Sequence, residues 1–448
     1  SAWNGGKNAG CISPLNCNTD SLDHFKMDAA DEFENSLKIS KFTLKLTGLY
    51  LGKPKRTWLD YIKYTWFYYF NVQFLYTDII GEFIWFYKKF EAGITFNEVT
   101  FMVPCITMCL LGSVKAAFLF MNDNVVMHLI NRLKELHPEV NTEAQDANTA
   151  EGKLYNIIRD AMKVLNIVVN VLSYTNAALY VAVICTPVIL MVVIYYSSGE
   201  VRLFYPVLVS YPYINSSDIR VWPFAFVHQT WSGSITLLYI IGSDTLLYSF
   251  CTFLHIQFKI LGYRIETIVE RSRGGNNKVD EKLLSANFDN IVKYHQELID
   301  LVLKVDIIYS KSTLFNFITS SFLICLSGFN LTMTQDMANI GSFVVFLVSS
   351  MSQVFILCYF GDMIMRSISS GDFPQVHERQ SLFRPRTYHF DCKWEEVVIY
   401  DDLRVLLRLR RAADFVAAQG FLWLDVTCGC VTWQMWHPKP VHGLVCME

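Results

Sequence analysis

The sequence predicts an all-α polytopic membrane protein: seven transmembrane helices, a cytoplasmic N-terminus, an extracellular C-terminus and a cytoplasmic helical anchor. Three observations carry this reading. Of the 448 residues, 52% are apolar and 15% aromatic, more than a soluble chain of this size uses to fill its core. The 18% that are charged gather between apolar runs instead of interleaving with them. Seven apolar runs, near 62–87, 98–121, 164–196, 228–258, 313–334, 341–366 and 414–436, approach the spanning length of about 20 residues. The last run is the weakest.

Basic residues give the orientation. With the N-terminus inside, 29 Lys and Arg fall on the cytoplasmic side and 5 outside, a strong bias by the positive-inside rule. This is opposite to a G-protein-coupled receptor, and the Asp-Arg-Tyr and Asn-Pro-x-x-Tyr signatures of that class are absent. A transporter, the other alternative, would show inverted repeats or paired broken helices at mid-membrane, and the sequence contains no convincing repeat.

Residues 1–26 are polar and rich in Gly, Asn and Ser, without an apolar signal core, and Met27 opens a different text. They are expected to be a non-native or disordered leader, with Met27 the start. In the cytoplasmic segment 27–61, Ile39, Phe42, Leu44, Leu46 and Leu49 alternate with Lys38, Lys41 and Lys45, the pattern of a short amphipathic helix on the inner membrane surface. Residues 62–258 hold spans one to four. The fourth is the organising stretch: apolar from Ser232 to Phe258 except for Asp244, it runs on without a break into Lys259, Arg264, Glu266 and Glu270. One helix thus leaves the membrane and continues in water. Residues 259–312 read as a cytoplasmic helical hairpin, an assembly anchor, turning at Arg273-Gly274-Gly275-Asn276-Asn277. After that turn Val292, His295, Leu298, Leu301, Val302 and Val305 recur at helical spacing. Spans five and six occupy 313–366, an atypical cytoplasmic segment 367–413, and the last span with its tail 414–448.

The twelve Cys lie mostly in apolar runs or in the end segments, a pattern of packed free thiols. Net charge of −3 with no basic patch gives no reason to expect a nucleic-acid partner. Loop 197–226 carries the sequon Asn215-Ser216-Ser217, a candidate glycosylation site on the outer face. No P-loop, zinc-protease or nucleophile-elbow motif is present, so no enzyme is expected, and no cofactor or metal. Cys428-Gly429-Cys430 with His437 and His442 lacks the second Cys pair of a zinc site.

Several strings in order carry a resemblance: GSDTLLYSF (242–250), HIQFKILGYRIE (255–266), YHQELIDLV (294–302), SSFLICLSGF (320–329), CYFGDMIMRS (358–367) and DCKWEE (391–396). Spaced over spans of this orientation, they make the chain similar to the insect odorant receptors, in particular the moth type. The resemblance covers about 37–366 and the patch 391–396. It implies the ligand-tuning subunit of a ligand-gated, non-selective cation channel, a heterotetramer with a co-receptor subunit, in the plasma membrane of a sensory-neuron dendrite. It further implies a small volatile hydrophobic ligand in the outer half of the bundle, a pore lined by the last span, and subunit contacts through the cytoplasmic helices. After Ser370 the chain departs from the family pattern, which is expected to reflect a splice or frame difference in the transcript and bears on any pore assignment.

An odorant pocket is mostly apolar with a few polar groups. On this topology span two offers Phe101, Met102, Cys105 and Ile106, span three Tyr174, Thr175, Ala178 and Val181, span four His228, Trp231 and Thr236, and span six Phe343 and Phe346. Any one of these is more often plain helix packing; the set is the candidate lining. Gln419 and Asp425 are the polar candidates for a pore in the last span. Asp78 and Glu82, four apart, share a helical face, and intramembrane acids turn inward to a polar neighbour, so structural pairing is the favoured reading. Lys115 near the inner end of span two is expected to snorkel.

Overall fold

The computed structural model describes residues 33–52, 57–93, 96–137, 150–211, 218–268, 281–333 and 337–369. The leader 1–26, the turn at 273–277, Asn215, and the last span with Gln419 and Asp425 lie outside the described residues. Among the described residues there are eight helices: α1 Lys38–Leu46, α2 Trp58–Ala92, α3 Phe96–Met121, α4 Asp123–Leu136, α5 Ala150–Ser198, α6 Trp222–Glu266, α7 Glu281–Met333 and α8 Met337–Ser369. Five carry segments long and apolar enough to cross a membrane: Met102–Met121, Tyr155–Ser198, Trp222–Glu266, Glu281–Thr332 and Phe343–Ile368. Of the other three, α2 is 35 residues long but buries Asn71, Asp78 and Glu82 along its length.

Helix limits follow from local chemistry. Thr57 caps α2, its hydroxyl accepting from the Asp60 amide at 3.2 Å and donating to the Asp60 carboxylate at 2.9 Å. The helix stops at Gly93, whose φ of 88° is the left-handed conformation that a glycine tolerates best. The 45, 49 and 53 residues of α6, α5 and α7 give lengths of about 68, 74 and 80 Å at 1.5 Å per residue, far beyond one bilayer.

α6 is the axis. It packs against each of the other seven helices. From Tyr239 to Leu254 every residue is buried, so no face of the helix remains for lipid or water. α2 runs antiparallel to it, with Tyr68 meeting Tyr239 and Asp78 meeting His228. α3 runs parallel, with Cys109 meeting Thr236 and Lys115 meeting Asp244. The end bearing segment 201–211 is called here the loop end and the opposite one, bearing α4, the basic end.

At the basic end, α4, α6 and α7 meet. The Gln257 amide donates to the Leu136 carbonyl at 2.9 Å and accepts from the Tyr294 hydroxyl. The Arg264 guanidinium lies 4.7 Å from the Tyr294 ring centre, and Arg132 pairs with Glu297. Leu129, Leu133, Leu298 and Leu301 are buried around these contacts. Phe33 stacks on Phe253 at 4.4 Å, with the His137 ring beside both. Burial pushes the His137 imidazole down to about 4.

α1 packs on α6. Its Ser40, Thr43, Leu44 and Thr47 turn inward onto α6, while Phe42 and Leu46 are exposed. The Ser40 hydroxyl donates to Thr245 at 2.8 Å, and a Cβ on Gly242 would come within 2.8 Å of both Leu44 and Thr43. Small and hydroxyl-bearing residues let two backbones approach, and that outweighs the apolar periodicity. One expectation is corrected here: Lys115 does not snorkel. At 2% exposure its ammonium pairs with Asp244 Oδ1, and Gln353 of α8 donates to Oδ2 at 3.0 Å. A buried partner outweighs the reach to a bilayer surface.

Candidate ligand site

At the loop end, α2, α3 and α6 enclose a polar cluster inside an apolar surround. Asp78 is buried on α2, and its Oδ1 accepts from the Tyr211 hydroxyl at 2.7 Å. The same oxygen lies 2.9 Å from His228 Nδ1 on α6. His228 Nε2 meets the Thr77 hydroxyl at 3.0 Å, and its ring stacks on Phe74 at 4.8 Å. Both imidazole nitrogens are therefore occupied. That fixes the ring as a bridge between α2 and α6.

Segment 201–211 covers the cluster. The Ser210 amide donates to the Gly81 carbonyl at 3.0 Å. Val209 is buried so closely over Gly81 that a Cβ there would sit 2.3 Å from its Cγ1. Only a glycine accepts this crossing. Gln229, the neighbour of His228, accepts from the Val207 amide at 3.3 Å, and Lys88 holds Ser210 at the rim at 2.9 Å. The Trp222 indole donates to the Phe204 carbonyl at 2.8 Å, tying the segment to the start of α6.

One turn past Asp78 toward the loop end, Glu82 is 1% exposed and its Oε2 has no hydrogen-bond partner among the described residues. Thr236, one turn past Ser232, touches Cys109, and its backbone comes within 3.4 Å of where a Gly112 Cβ would stand. Ser232 is itself 1% exposed with an unpartnered hydroxyl, on the stripe between His228 and Thr236.

The sequence candidates divide as follows. Met102 and Ile106 are buried and Cys105 half-buried on α3, His228 is in the cluster itself, and Thr236 lies two turns further along α6. Phe101 lies in α3, and the description stops at its backbone. Trp231 points to another side of α6, donating to Asn71 at 3.1 Å. Phe343 is buried and Phe346 half-buried on α8, which packs on α6 and α7. Tyr174, Thr175, Ala178 and Val181 face outward from the bundle, Tyr174 being 74% exposed. The inward stripe of α5 at this depth includes Asn176 and Tyr180, whose hydroxyl donates to the Thr230 carbonyl at 2.5 Å. A span that is apolar all round carries no moment to tell its two faces apart.

Sequence reasoning left Thr77, Tyr211, Gln229 and the covering segment out of the site. The usable signal was the acid pair itself. An intramembrane acid needs a donor, and His228 of another span was the nearest available type.

Three comparisons bear on this arrangement. The family profile described as 7tm Odorant receptor matches residues 95–370. Odorant receptor 85b of Drosophila melanogaster is 25% identical over 359 residues, covering 78% of this chain and 82% of that one. Odorant receptor 67c of the same fly is 26% identical over 301 residues, with coverage of 66% and 70%. Among solved structures, the insect olfactory receptor OR5 from Machilis hrabei aligns with a TM-score of 0.58 at 15% identity, covering 75% of this chain and 81% of that one. The same receptor in complex with eugenol aligns equally well, with a TM-score of 0.58.

Proposed function

Since this chain belongs to the seven-transmembrane odorant receptor family, we propose that it is the ligand-tuning subunit of an odorant-gated cation channel assembled with a co-receptor subunit. The single observation that carries the location of binding is the polar cluster around Asp78 and His228, enclosed by apolar side chains and covered by segment 201–211. Pockets for small apolar ligands have this make-up, a few fixed polar groups in an apolar lining. Met102, Cys105, Ile106, His228 and Thr236 supply the lining, and Tyr211 the cover. A structural neighbour in complex with eugenol supports a ligand-binding role by analogy of fold. The subunit sits in the plasma membrane with its N-terminus and basic end cytoplasmic and its loop end outside, so a volatile reaches the site from the extracellular face.

No chemical step is involved. A ligand that fits the open state better shifts a closed–open equilibrium by its difference in affinity for the two states. The test is whole-cell current in cells co-expressing this chain and a family co-receptor, under a volatile panel, with co-receptor alone as control. A current that needs this chain and survives a block of G-protein signalling supports the reading. Protein at the surface that never carries an odorant-evoked current overturns it.

A further inference from the structure

α1 stands against α6 and turns only one side inward. Its contacts follow in order along the axis: Phe33 on Phe253, Ser40 on Thr245, Thr43 and Leu44 at Gly242, and Thr47 at Tyr239. α1 therefore runs antiparallel to α6 and parallel to α2, whose Asn71 donates to the Thr47 carbonyl at 3.1 Å. The side turned away carries Lys38, Phe42, Lys45 and Leu46, all exposed and spaced as one helical stripe. Lys41 beside it shares the Glu34 carboxylate with Lys134, at 2.5 and 3.0 Å. Lys38 and Lys45 have no acid partner among the described residues. Lys38 on α1 and Ile62 on α2 each lie nine positions before the Thr47–Asn71 contact, about 14 Å towards the basic end. Around that level α2 exposes Trp58, Lys63 and Trp66, the aromatic and basic mix of a membrane–water boundary.

We propose that this outward face of α1 binds an anionic phospholipid, with the phosphate between Lys38 and Lys45 and an acyl chain along Phe42 and Leu46. The leaflet is the cytoplasmic one, and in that respect the inference rests on the orientation proposed above. In a helix each Cα–Cβ bond leans towards the N-terminus. Lys45, about 10 Å further along the axis than Lys38, thus reaches back towards the basic end. Its stem covers apolar surface while its ammonium seeks the headgroup level. The separation is one that two lysine side chains span around a single anion. A zwitterionic lipid brings a cation with its phosphate and leaves the surplus positive charge unanswered. Free phosphate lacks the chain that Phe42 and Leu46 accommodate. Inward, the same helix bears on the buried stretch of α6 at Gly242 and Thr245, on either side of Asp244. A lipid seated outside therefore adds to the hold of α1 on the axis of the bundle.

The experiment is thermal unfolding of the purified full chain in detergent, titrated with dioleoylphosphatidylglycerol or dioleoylphosphatidylcholine. Wild type is compared with Lys38→Gln/Lys45→Gln, with Lys38→Arg/Lys45→Arg, and with Lys259→Gln/Lys293→Gln, which removes two exposed lysines of α6 and α7 instead. The anionic lipid is expected to stabilise wild type at a concentration about tenfold or more below that needed with the zwitterionic one, the scale of two lysines at an anionic surface. Lys38→Gln/Lys45→Gln loses this advantage and keeps the response to phosphatidylcholine; the other two variants retain the advantage. Equal responses of wild type to the two lipids overturn the proposal. So does an advantage that survives in Lys38→Gln/Lys45→Gln, one that Lys259→Gln/Lys293→Gln loses equally, or the same stabilisation by inorganic phosphate. Lys38 and Lys45 are exposed and unpaired, so replacing them breaks no contact of the fold. No odorant, co-receptor or current enters the measurement, and a failed channel reading leaves it standing. An N-terminal tag reached from outside intact cells overturns the orientation and the leaflet, and not the lipid face.

Discussion

The Lys115–Asp244 pair offers the sharpest test of how this bundle holds together. Both side chains are nearly sealed, 3% and 8% exposed, and the pair bridges α3 and α6 with Gln353 of α8 as third partner. Removing one member of such a pair leaves an uncompensated buried charge and costs about 3–5 kcal/mol. Lys115→Met strands Asp244 with one donor, and Asp244→Leu strands Lys115 and orphans Gln353. The double variant Lys115→Met/Asp244→Leu removes both charges at roughly constant volume, so it is expected to be less damaged than either single one. Gln353→Leu alone costs about 1.5–3 kcal/mol, a lost hydrogen bond to a charged acceptor. Equilibrium unfolding in mixed micelles of increasing denaturing detergent measures the four corners of the cycle. A coupling energy of about 2 kcal/mol or more is expected. Additive costs, or single variants within about 0.5 kcal/mol of wild type, would refute the reasoning.

Three further outcomes are expected. Gly81→Ala forces a Cβ to 2.3 Å from Val209 Cγ1, destabilising by about 1–3 kcal/mol; Val209→Ala in the same chain recovers most of this in the same unfolding assay. Gly242→Val drives α1 off α6 through Leu44 and Thr43, so a protease site placed before Lys38 is cut faster, and Leu44→Ala slows the cutting again. His137 has its folded-state value depressed from 6.5 to about 4 by burial. The unfolded chain therefore takes up the proton first, and stability is full above pH 6.5 and is lost as the pH falls towards 4. Linkage puts this loss at up to about 3 kcal/mol. His137→Phe, which extends the Phe33–Phe253 stack, is expected to flatten that acid limb in a stability profile against pH.

The fold class was legible because it rests on quantities that a sequence states directly: the length of apolar runs and the continuity of α6 beyond Phe258. What composition does not encode is rotation about a helix axis. In water, burial imprints a polar and an apolar face on a helix; in a bundle surrounded by hydrocarbon both faces are apolar and the imprint vanishes. Tyr174 and Tyr180 are alike in sequence terms, yet one faces outward and the other grips Thr230. α1 shows that polar residues can share an inward side: Ser40, Thr43 and Thr47 turn onto α6 beside Leu44, against Gly242. Polar residues were the better guide. Asp78, Glu82, Lys115, Asp244 and His228 all stand out in an apolar text, and all five mark contacts or unmet demand between helices. Their pairings stayed hidden because nothing in the sequence sets the axial register of α2 or α3 against α6.

That register explains why α6 organises the molecule. His228 and Asp244 lie 16 residues apart on it, about 24 Å along the axis. The first ties α6 to α2 and the covering segment, the second to α3 and α8. From Tyr239 past Asp244 to Leu254 α6 is buried on every side, and α1 is wedged against it at Gly242. A close-packed helix does not yield by degrees; it repacks between discrete arrangements or stays put. Any occupant that changes the bonds of His228 therefore acts on a rod whose other fixed point is an ion pair holding α3 and α8. A ligand contributes to a shift only through contacts that differ between two arrangements, and on the proposed function the polar cluster beneath segment 201–211, whose hydrogen bonds are directional and buried, is the place to seek them.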